Sequence, residues 1–323
     1  MLAALPGDLL ILGVGGKMGP SLAVLARRAC DEAGIRKRII GVSRFAARPV
    51  ETLHATSLLA AAGVETIACD LLDETALAAL PDAANVIYMA GMKFGATGRE
   101  AETWAMNAYL PGRVVNRFPR SRFVVFSSGN VYPFCPVASG GCTEETPPAP
   151  VGEYAMSVLG RERVFAHFAR QFGVPGVILR LNYAVEMRYG VLLDIAQKVW
   201  SGAPIDLAMG YANVIWQGDA NAVALRALAV VENPPRVLNL TGPETVAIRA
   251  LAGEFGRLLG REPILVGAEQ EDALLNNAGR THALFGLPRV GLGQMVAWVA
   301  DWVRRGGPTL GKPTKFQARD GRF

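Results

Sequence analysis

Short apolar runs alternate with helical patterns along the first half of the chain. The apolar runs, which suit strands buried on both faces, cover 8–13, 38–43, 64–69, 85–90, 122–127 and 176–181. Between them, apolar residues recur at helical spacing in 18–33, 51–62, 100–118 and 153–172. This strict alternation is typical of right-handed βαβ units. The pattern therefore predicts an α/β fold with a Rossmann-type, doubly wound parallel sheet.

The pattern changes after residue 183. The later segments predict helices at 191–200, 219–231, 247–259 and 291–305, and short strands near 204–206 and at 236–240. We expect residues 1–183 with about 212–241 to form the sheet domain, and about 184–211 and 242–323 to form a small C-terminal α/β part with a tail from 306. Ligands bind at the carboxyl ends of the strands in such sheets, so this smaller part is expected to bind a substrate.

Composition narrows the classes of protein that remain. Hydrophobic residues make up 51% of the chain and charged residues 19%, which is typical of a folded protein rather than a disordered one. No apolar window approaches the roughly 18 residues that a membrane span needs, and the first residues lack a basic signal-peptide region. We therefore expect a cytoplasmic protein with no membrane partner.

Charge and cysteine spacing argue against nucleic-acid and metal binding. Basic residues exceed acidic ones by only five, 33 against 28, and their local clusters contain no known nucleic-acid-binding motif. Two basic groups are expected to be solvated, and they consist of Arg28, Arg36, Lys37 and Arg38 and of the tail residues Lys312, Lys315, Arg319 and Arg322. The four cysteines form no C-x-x-C pair and the three histidines lie far apart, so reduced thiols and no metal site are predicted.

A glycine-rich loop joins the first predicted strand to the first predicted helix. Gly13, Gly16 and Gly19 are spaced three residues apart, and Lys17 and Met18 lie between the last two. In a βαβ unit, the first glycine permits a tight turn, the second lets a pyrophosphate approach the backbone, and the third lets helix and strand pack closely. The loop therefore predicts dinucleotide binding.

Residues after the next strands complete the predicted cofactor site. An acidic residue at the end of the second strand binds the adenosine ribose of NAD, whereas a basic one pairs with the 2′-phosphate of NADP. This chain has Ser43 and Arg44 there, so NADP(H) is favoured and NAD(H) stays possible. Asp70 is predicted to reach the adenine edge, with helix capping as its alternative. The remaining predicted cofactor residues are Leu71, Ala90 and Gly91.

Further motifs give the chain a family resemblance. Ser128 ends the fifth predicted strand, Tyr154 opens a long helix, and the stretches 143–150, 239–243 and 283–288 complete the set. Together with the glycine loop, these motifs resemble the extended short-chain dehydrogenase/reductase family, of the NAD-dependent epimerase/dehydratase type. The resemblance implies an oxidoreductase or epimerase that acts at a carbinol or carbonyl. It also implies a homodimer built on the helices at 100–118 and 153–172.

The resemblance assigns three catalytic roles, and one of them lacks its residue. In the family, a tyrosine is the acid/base, a serine binds the same substrate oxygen, and a lysine four residues after the tyrosine lowers the tyrosine pKa. Tyr154 and Ser128 match, and Tyr154 is also assigned to the cofactor site, but the lysine position is Val158. Lys93, after the fourth strand, is the favoured replacement cation, and Arg161 is a weaker one. The alternative is a sensor or scaffold that binds NADP(H) without turnover.

The same resemblance bears on the substrate. Sugar-nucleotide 4,6-dehydratases carry an acidic pair after the serine, whereas this chain has Gly129 and Asn130. Asn213 stands where nucleotide-sugar epimerases carry an arginine that binds the diphosphate. A smaller sugar, polyol, sugar acid or sugar phosphate is therefore favoured, and a nucleotide-sugar epimerase with phosphate contacts from another arginine is the alternative. The predicted substrate-binding residues are Lys93, Ser128, Asn130 and Asn182, and Asn182 has backbone satisfaction at a strand end as its alternative.

Overall fold

A seven-stranded sheet organises the fold. The structure is a computed structural model and describes residues 1–45, 49–93, 97–312 and 314–321. Its strands are β1 (Leu9–Leu12), β2 (Ile39–Ser43), β3 (Glu65–Ala68), β4 (Asn85–Tyr88), β5 (Arg122–Ser128), β6 (Cys135–Pro136), β7 (Gly176–Leu181), β8 (Ala184–Val185), β9 (Ile205–Asp206), β10 (Tyr211–Ala212), β11 (Ile215–Trp216), β12 (Arg236–Leu240), β13 (Val246–Ala247), β14 (Leu265–Val266) and β15 (Asp272–Ala273). The large sheet has the order β12-β7-β5-β4-β1-β2-β3, which confirms the predicted doubly wound α/β fold.

Helices follow most of the sheet strands. They are α1 (Gly19–Glu32), α2 (Pro49–Ala61), α3 (Glu74–Ala78), α4 (Glu100–Trp104), α5 (Leu110–Arg117), α6 (Gly152–Phe172), α7 (Val191–Ser201), α8 (Gln217–Ala227), α9 (Ile248–Leu259), α10 (Gly279–Phe285) and α11 (Leu292–Arg304). The predicted helix at 100–118 is divided, because a π-helical turn at Ala105–Tyr109 separates α4 from α5.

The sheet strands are buried as predicted, with one exception. Strands β1 and β4 are buried along their whole length, and they pair in parallel with each other. Strand β3 pairs only with β2 and lies at the edge of the sheet, where most of its residues are partly or fully exposed. The expectation that 64–69 is buried on both faces is therefore wrong, because an edge strand has a neighbour on one side only.

The chain divides into two compact units. Unit 1 contains Met1–Ser127, Ser157–Leu179 and Asn221–Val237, and unit 2 contains Ser128–Met156, Arg180–Ala220 and the chain from Leu238 onward. The core of unit 1 lies against the sheet and includes Leu12, Val86, Tyr88, Phe123 and Phe165. In unit 2, helices α7, α9 and α11 pack against one another beside pairs of two-residue strands.

The C-terminal tail is bound to unit 2. Thr314 and Phe316 are buried, and Thr314 donates two hydrogen bonds, from its backbone nitrogen and its hydroxyl, to the Asp194 carboxylate. Arg319 pairs with Asp272, donates to two backbone carbonyls and stacks on the Phe134 ring. The prediction of a solvated tail is therefore wrong for Arg319, whereas Lys315 is exposed and Arg322 lies outside the described residues.

The other basic group is also not fully solvated. Lys37 is only 8% exposed, and its ammonium donates to the backbone carbonyls of Leu5 and Gly7. Arg38 is exposed and pairs with Glu65. Within the described residues, no helix is long and apolar enough to cross a bilayer, and no group of three potential metal ligands occurs. All four cysteines are buried free thiols.

Candidate functional site

The loop between β1 and α1 is shaped by close backbone approaches. Gly13 has a φ of 90°, which favours glycine, and its N–H donates to the Val42 carbonyl at 2.9 Å. A Cβ at Gly13 would lie 2.6 Å from the Ala90 backbone nitrogen. At Gly19, a Cβ would collide with the Val14 carbonyl. These contacts are the physical reason for the spaced glycines, because no side chain fits at either position.

A cleft of about 240 Å³ opens beside this loop in unit 1. Eight of the predicted cofactor residues line it, and they are Gly13, Gly16, Ser43, Arg44, Asp70, Leu71, Ala90 and Gly91. Six other lining residues were not predicted from the sequence. They are Gly15, Phe45, Ala55, Cys69, Met89 and Met106. Gly15 belongs to the same glycine loop, so its place in that motif could have identified it. Met106 lies in the π-helical turn, which no sequence pattern indicated.

Four of the predicted cofactor residues, Lys17, Met18, Gly19 and Tyr154, are not part of the lining of this cleft. Met18 is buried before the first turn of α1, Gly19 packs against Val14, and Lys17 is half-buried. The capping alternative for Asp70 is wrong. The N-cap of α3 is Asp73, whose carboxylate accepts the Ala76 N–H at 3.0 Å.

A buried arginine supports the loop that follows β4. Arg161 donates to the Phe126 carbonyl at 2.7 Å and to the carbonyl and side-chain oxygens of Asn107 at 3.3 and 2.8 Å. Asn107 in turn pairs with both backbone polar groups of Met92. Among the described residues, no carboxylate forms an ion pair with Arg161. Its guanidinium therefore holds the loop that carries Gly91 and Lys93.

Val158 and Lys93, two further residues of unit 1, differ in polarity. Val158, at the position of the missing lysine, is 1% exposed and aliphatic. Lys93 is half-buried, and burial lowers the pKa of its ammonium group to about 8. An amine with this pKa is mostly charged at neutral pH and exchanges its proton readily just above it.

Ser128 and Asn130 form a local pair in unit 2. The Ser128 hydroxyl donates to the Asn130 side-chain oxygen at 2.8 Å and accepts the Asn130 backbone N–H at 3.2 Å. A single 3₁₀ turn, Gly129–Val131, produces this geometry, because its N-cap is Ser128. The hydroxyl of Ser128 is therefore fixed in direction by its own turn.

Tyr154 lies near the start of α6 in unit 2 and is half-buried. The helix begins at Gly152, whose φ of 84° and close approach to Gly321 exclude a side chain. Burial raises the pKa of the neighbouring Tyr189 phenol, and the nearby Asp194 and Tyr154 groups raise it further. Tyr154 thus belongs to a group of buried and half-buried phenols rather than to an open surface.

Two further polar side chains of unit 2 have structural partners. Asn182 is buried, and its amide donates to the Leu274 carbonyl at 3.3 Å, as its structural alternative required. Tyr132 is also buried and accepts from Arg180 at 2.7 Å while it donates to Asn239 at 2.9 Å. Sequence reasoning did not find the Arg180–Tyr132–Asn239 chain, because its members are separated by up to 107 residues.

Solved structures with this fold are numerous, and their identity to this chain is low. A UDP-glucuronic acid 4-epimerase from Bacillus cereus, in complex with UDP-glucuronic acid and NAD, is 18% identical with a TM-score of 0.77, over 92% of this chain and 99% of that chain. A dTDP-glucose 4,6-dehydratase from Streptomyces venezuelae with NAD bound is 18% identical with a TM-score of 0.76, over 92% and 97%. A UDP-glucose 4-epimerase from Thermotoga maritima is 15% identical with a TM-score of 0.73, over 93% and 99%.

The parallel sheet and the glycine loop define a protein of the Rossmann-type α/β class. A search of curated protein sequences found no match. The sequence model of the NAD dependent epimerase/dehydratase family matches residues 9–185, which is more than half of the chain. The chain therefore belongs to this family, and the resemblance to extended short-chain dehydrogenases/reductases is confirmed.

Proposed function

We propose that this chain is an NAD(P)-dependent oxidoreductase of the epimerase/dehydratase type, which acts at a carbinol or carbonyl of a small sugar- or polyol-type substrate. The cleft of unit 1 carries this proposal. Gly13 and Gly16 line it, and no side chain fits at Gly13 because its Cβ would lie 2.6 Å from the Ala90 backbone nitrogen. The N-terminus of α1 follows directly, and helix N-termini favour phosphate groups.

The proposed cofactor is NADP(H), with NAD(H) as the alternative. Arg44 is exposed and lines the cleft beside Ser43, so a 2′-phosphate would find a guanidinium there. The Asp70 carboxylate lies on the same cleft and is exposed. These residues fit a dinucleotide, which supplies hydride acceptance or donation when it is bound.

Tyr154 is proposed as the acid/base at the reacting substrate oxygen, and Ser128 as its hydrogen-bonding partner. Lys93 is proposed as the cation that replaces the family lysine. With a pKa of about 8 its ammonium group still carries its charge at neutral pH, as this role requires, although burial disfavours that charge. Arg161 is less suited to the role, since three backbone and side-chain oxygens already occupy its guanidinium.

The side chains of unit 2 favour a substrate without a diphosphate. The Asn213 amide donates to the Glu244 carbonyl and the Thr245 hydroxyl, so it is already paired. Of the three arginines that could replace this phosphate contact, Arg188, Arg226 and Arg280, the first pairs with Glu186 and the last with Glu145. Gly129 and Asn130 offer no carboxylic acid to protonate a leaving hydroxyl. The proposed reaction is therefore oxidation, reduction or epimerisation rather than dehydration.

Two alternatives keep specific support. The similar solved structures contain UDP- or dTDP-linked ligands, which favours a nucleotide-sugar epimerase. The buried aliphatic Val158 favours a protein that binds NADP(H) without turnover.

A homodimer is proposed on an apolar groove of unit 1. Trp104 and Tyr109 are 39% and 57% exposed, although large aromatic rings are usually covered. With Phe168 and Phe172 they line a groove of about 910 Å³ along the helices at 100–117 and 152–172. A second copy of the same helices would cover it. Sedimentation of the wild type and of Tyr109→Glu, which would separate such a dimer into monomers, tests this assignment.

A thermal-shift titration with NAD⁺, NADH, NADP⁺ and NADPH tests the cofactor. A ligand at about 100 times its Kd adds about 2.7 kcal/mol to the free energy of unfolding. We expect the phosphorylated pair to stabilise the protein more than NAD⁺ and NADH do. Arg44→Ala should raise the Kd of the phosphorylated pair about fivefold to tenfold without changing NAD(H) binding. No shift with any of the four would contradict the proposed function.

Turnover distinguishes the three candidate functions. We expect oxidation or reduction of a sugar or polyol in the presence of cofactor, with a loss of about a thousandfold in Tyr154→Phe. Stabilisation by UDP or dTDP would instead favour the nucleotide-sugar epimerase. Cofactor binding without turnover of any carbonyl or carbinol compound would favour the sensor.

A further inference from the structure

Asn276 is held rigidly by its backbone in unit 2. Its N–H donates to the Asn213 side-chain oxygen at 2.8 Å, and residue 276 forms a parallel bridge with Cys142. Gly141 packs so closely that a Cβ there would lie 2.7 Å from the Asn276 carbonyl carbon. The direction in which the Asn276 side chain leaves the backbone is therefore fixed.

The carboxamide of Asn276 lies on the residue that follows Ser128. A Cβ at Gly129 would lie 2.8 Å from the Asn276 Oδ1 atom and 2.9 Å from its Nδ2 atom. The Asn276 Cγ atom lies farther from this position, at 3.1 Å, so the polar end of the carboxamide points at the space that a side chain of residue 129 would take. Asn276 therefore occupies the space that a side chain at position 129 would take, directly beside Ser128 and Asn130.

This carboxamide has no hydrogen-bond partner among the described residues. Asn276 is 2% exposed, and both its Oδ1 and Nδ2 atoms are buried and unpaired. Burying such a group is unfavourable unless something pairs with it. The neighbouring pair does not, because the one proton of Ser128 is donated to Asn130. Asn276 thus has unused donor and acceptor capacity next to the serine.

We propose that Asn276 is a substrate-binding residue that pairs with hydroxyl groups of an uncharged polyhydroxylated substrate. This inference rests on the proposed function and names the substrate class of that same site. A carboxamide offers one acceptor atom and two N–H donors, and a hydroxyl can pair with either because it both donates and accepts. A carboxylate or phosphate would leave Oδ1 unpaired, and an ammonium would leave Nδ2 unpaired. Adjacent hydroxyls satisfy both atoms.

Gly129 acquires a role in specificity from the same geometry. Any side chain at this position would displace the carboxamide, since its Cβ would already lie too close to both polar atoms. Residue 129 therefore carries no acidic side chain for the same reason that Asn276 fits there, because the carboxamide takes the space. An uncharged amide stands where a carboxyl group would otherwise face the substrate.

The test compares Asn276→Leu with a matched control, Asn213→Leu. Both residues are buried asparagines at 2% exposure in unit 2, but only Asn213 has its amide paired. Denaturant unfolding without ligand is measured first. We expect Asn276→Leu to be at least as stable as the wild type, because the change removes an unpaired amide, and Asn213→Leu to be less stable. Destabilisation of Asn276→Leu as large as that of Asn213→Leu would overturn the proposal.

Kinetics with defined probes then test recognition. Sorbitol, xylitol, myo-inositol and D-glucose are assayed with the cofactor, together with single-deoxy analogues of the best substrate. We expect Asn276→Leu to bind cofactor normally and to lose about ten- to a hundredfold in kcat/KM. One deoxy analogue should be poor for the wild type and no worse than its parent compound for Asn276→Leu, a pattern that a structural role would not produce.

The possible outcomes test the role of Asn276 and the proposed function separately. Turnover that Asn276→Leu leaves unchanged would overturn the role of Asn276 while the proposed function stands. Cofactor binding by the wild type without turnover of any of the four probes would overturn the uncharged polyol class. Failure to bind any dinucleotide would remove the proposed function, and this inference with it.

Discussion

The candidate sites of the two units differ in the groups that form them, which are main chain in unit 1 and side chains in unit 2. In unit 1, the cleft is formed by main chain at Gly13 and Gly16, and the limiting distances are those between backbone atoms. In unit 2, the polar groups around Ser128 are side-chain amides and hydroxyls, such as those of Asn130, Asn276 and Asn239.

This difference teaches where each unit tolerates change. A site built from main chain requires only that certain positions lack a Cβ, so many sequences can form it. A side-chain site depends on each donor and acceptor, because a buried polar group that loses its partner destabilises the fold. Unit 1 is therefore expected to be sensitive at its glycines, and unit 2 at its asparagines.

The largest expected effect is that of Gly19→Ala. The new methyl would collide with the Val14 carbonyl, a backbone atom that has no room to move, and we expect a loss of about 4 kcal/mol in the free energy of unfolding. The control is Gly253→Ala in α9, where no atom lies within 4 Å of the added methyl. There the better helix propensity should add about 0.5–1 kcal/mol. Denaturant unfolding measures both, and equal effects would contradict the comparison.

A smaller effect is expected from Asn239→Leu in unit 2. Asn239 is fully buried, accepts the Tyr132 hydroxyl and donates to the Cys142 and Asn277 carbonyls. Removing these bonds should destabilise the protein by about 3 kcal/mol. Because Tyr132→Phe removes one of the same bonds, the two substitutions should be less than additive in a double-mutant cycle. Full additivity would show that the residues do not form one network.

The smallest effect is that of Lys93→Met, and it depends on pH. Burial lowers the Lys93 pKa from 10.5 to about 8, so between these values the unfolded chain binds more protons and stability rises with pH. Below pH 8 the charge is present in both states and its burial penalty applies in full. We expect Lys93→Met to be more stable than the wild type by about 1 kcal/mol at neutral pH, given the partial solvent access of the group.

This advantage should disappear between pH 8 and 10.5. Unfolding curves of both proteins across that range measure it. A difference that does not change with pH would mean that Lys93 titrates normally. The result also bears on catalysis, because a lysine that acts as a cation should give kcat/KM a falling limb near pH 8, and Lys93→Arg should move that limb to higher pH.

Much of unit 1 was predictable from the sequence. The apolar runs at 8–13 and 85–90 are long enough to indicate buried strands, and the glycine spacing marks Gly13 and Gly19, where a Cβ would collide with backbone atoms. The exceptions are local. The exposure of β3 depends on its place at the edge of the sheet, and the π-helical turn at Ala105–Tyr109 leaves no mark on apolar spacing.

Unit 2 was less predictable, for a physical reason. Strands of two residues, such as β6 and β15, show no periodicity. Their pairing depends on partners more than a hundred residues away, as Ala273 opposite Cys135 shows. The position of Asn276 over Gly129 follows from that pairing, and so does the burial of Phe316. Sequence motifs singled out Ser128, Asn130 and Tyr154, but not Asn276 or Asn239.

The contact between Gly321 and the start of α6 has a consequence for the order of synthesis. The first turn of this helix carries Tyr154, and its support at Gly152 comes from a residue 169 positions further along the chain. Ribosomes release a chain from its N-terminus at about 5–20 residues per second, so contacts of such long sequence separation form late. Unit 1 has all its segments once Val237 has emerged. The first turn of α6, with Tyr154, is supported only afterwards, so a nascent chain can complete the cleft of unit 1 before Tyr154 reaches its final setting.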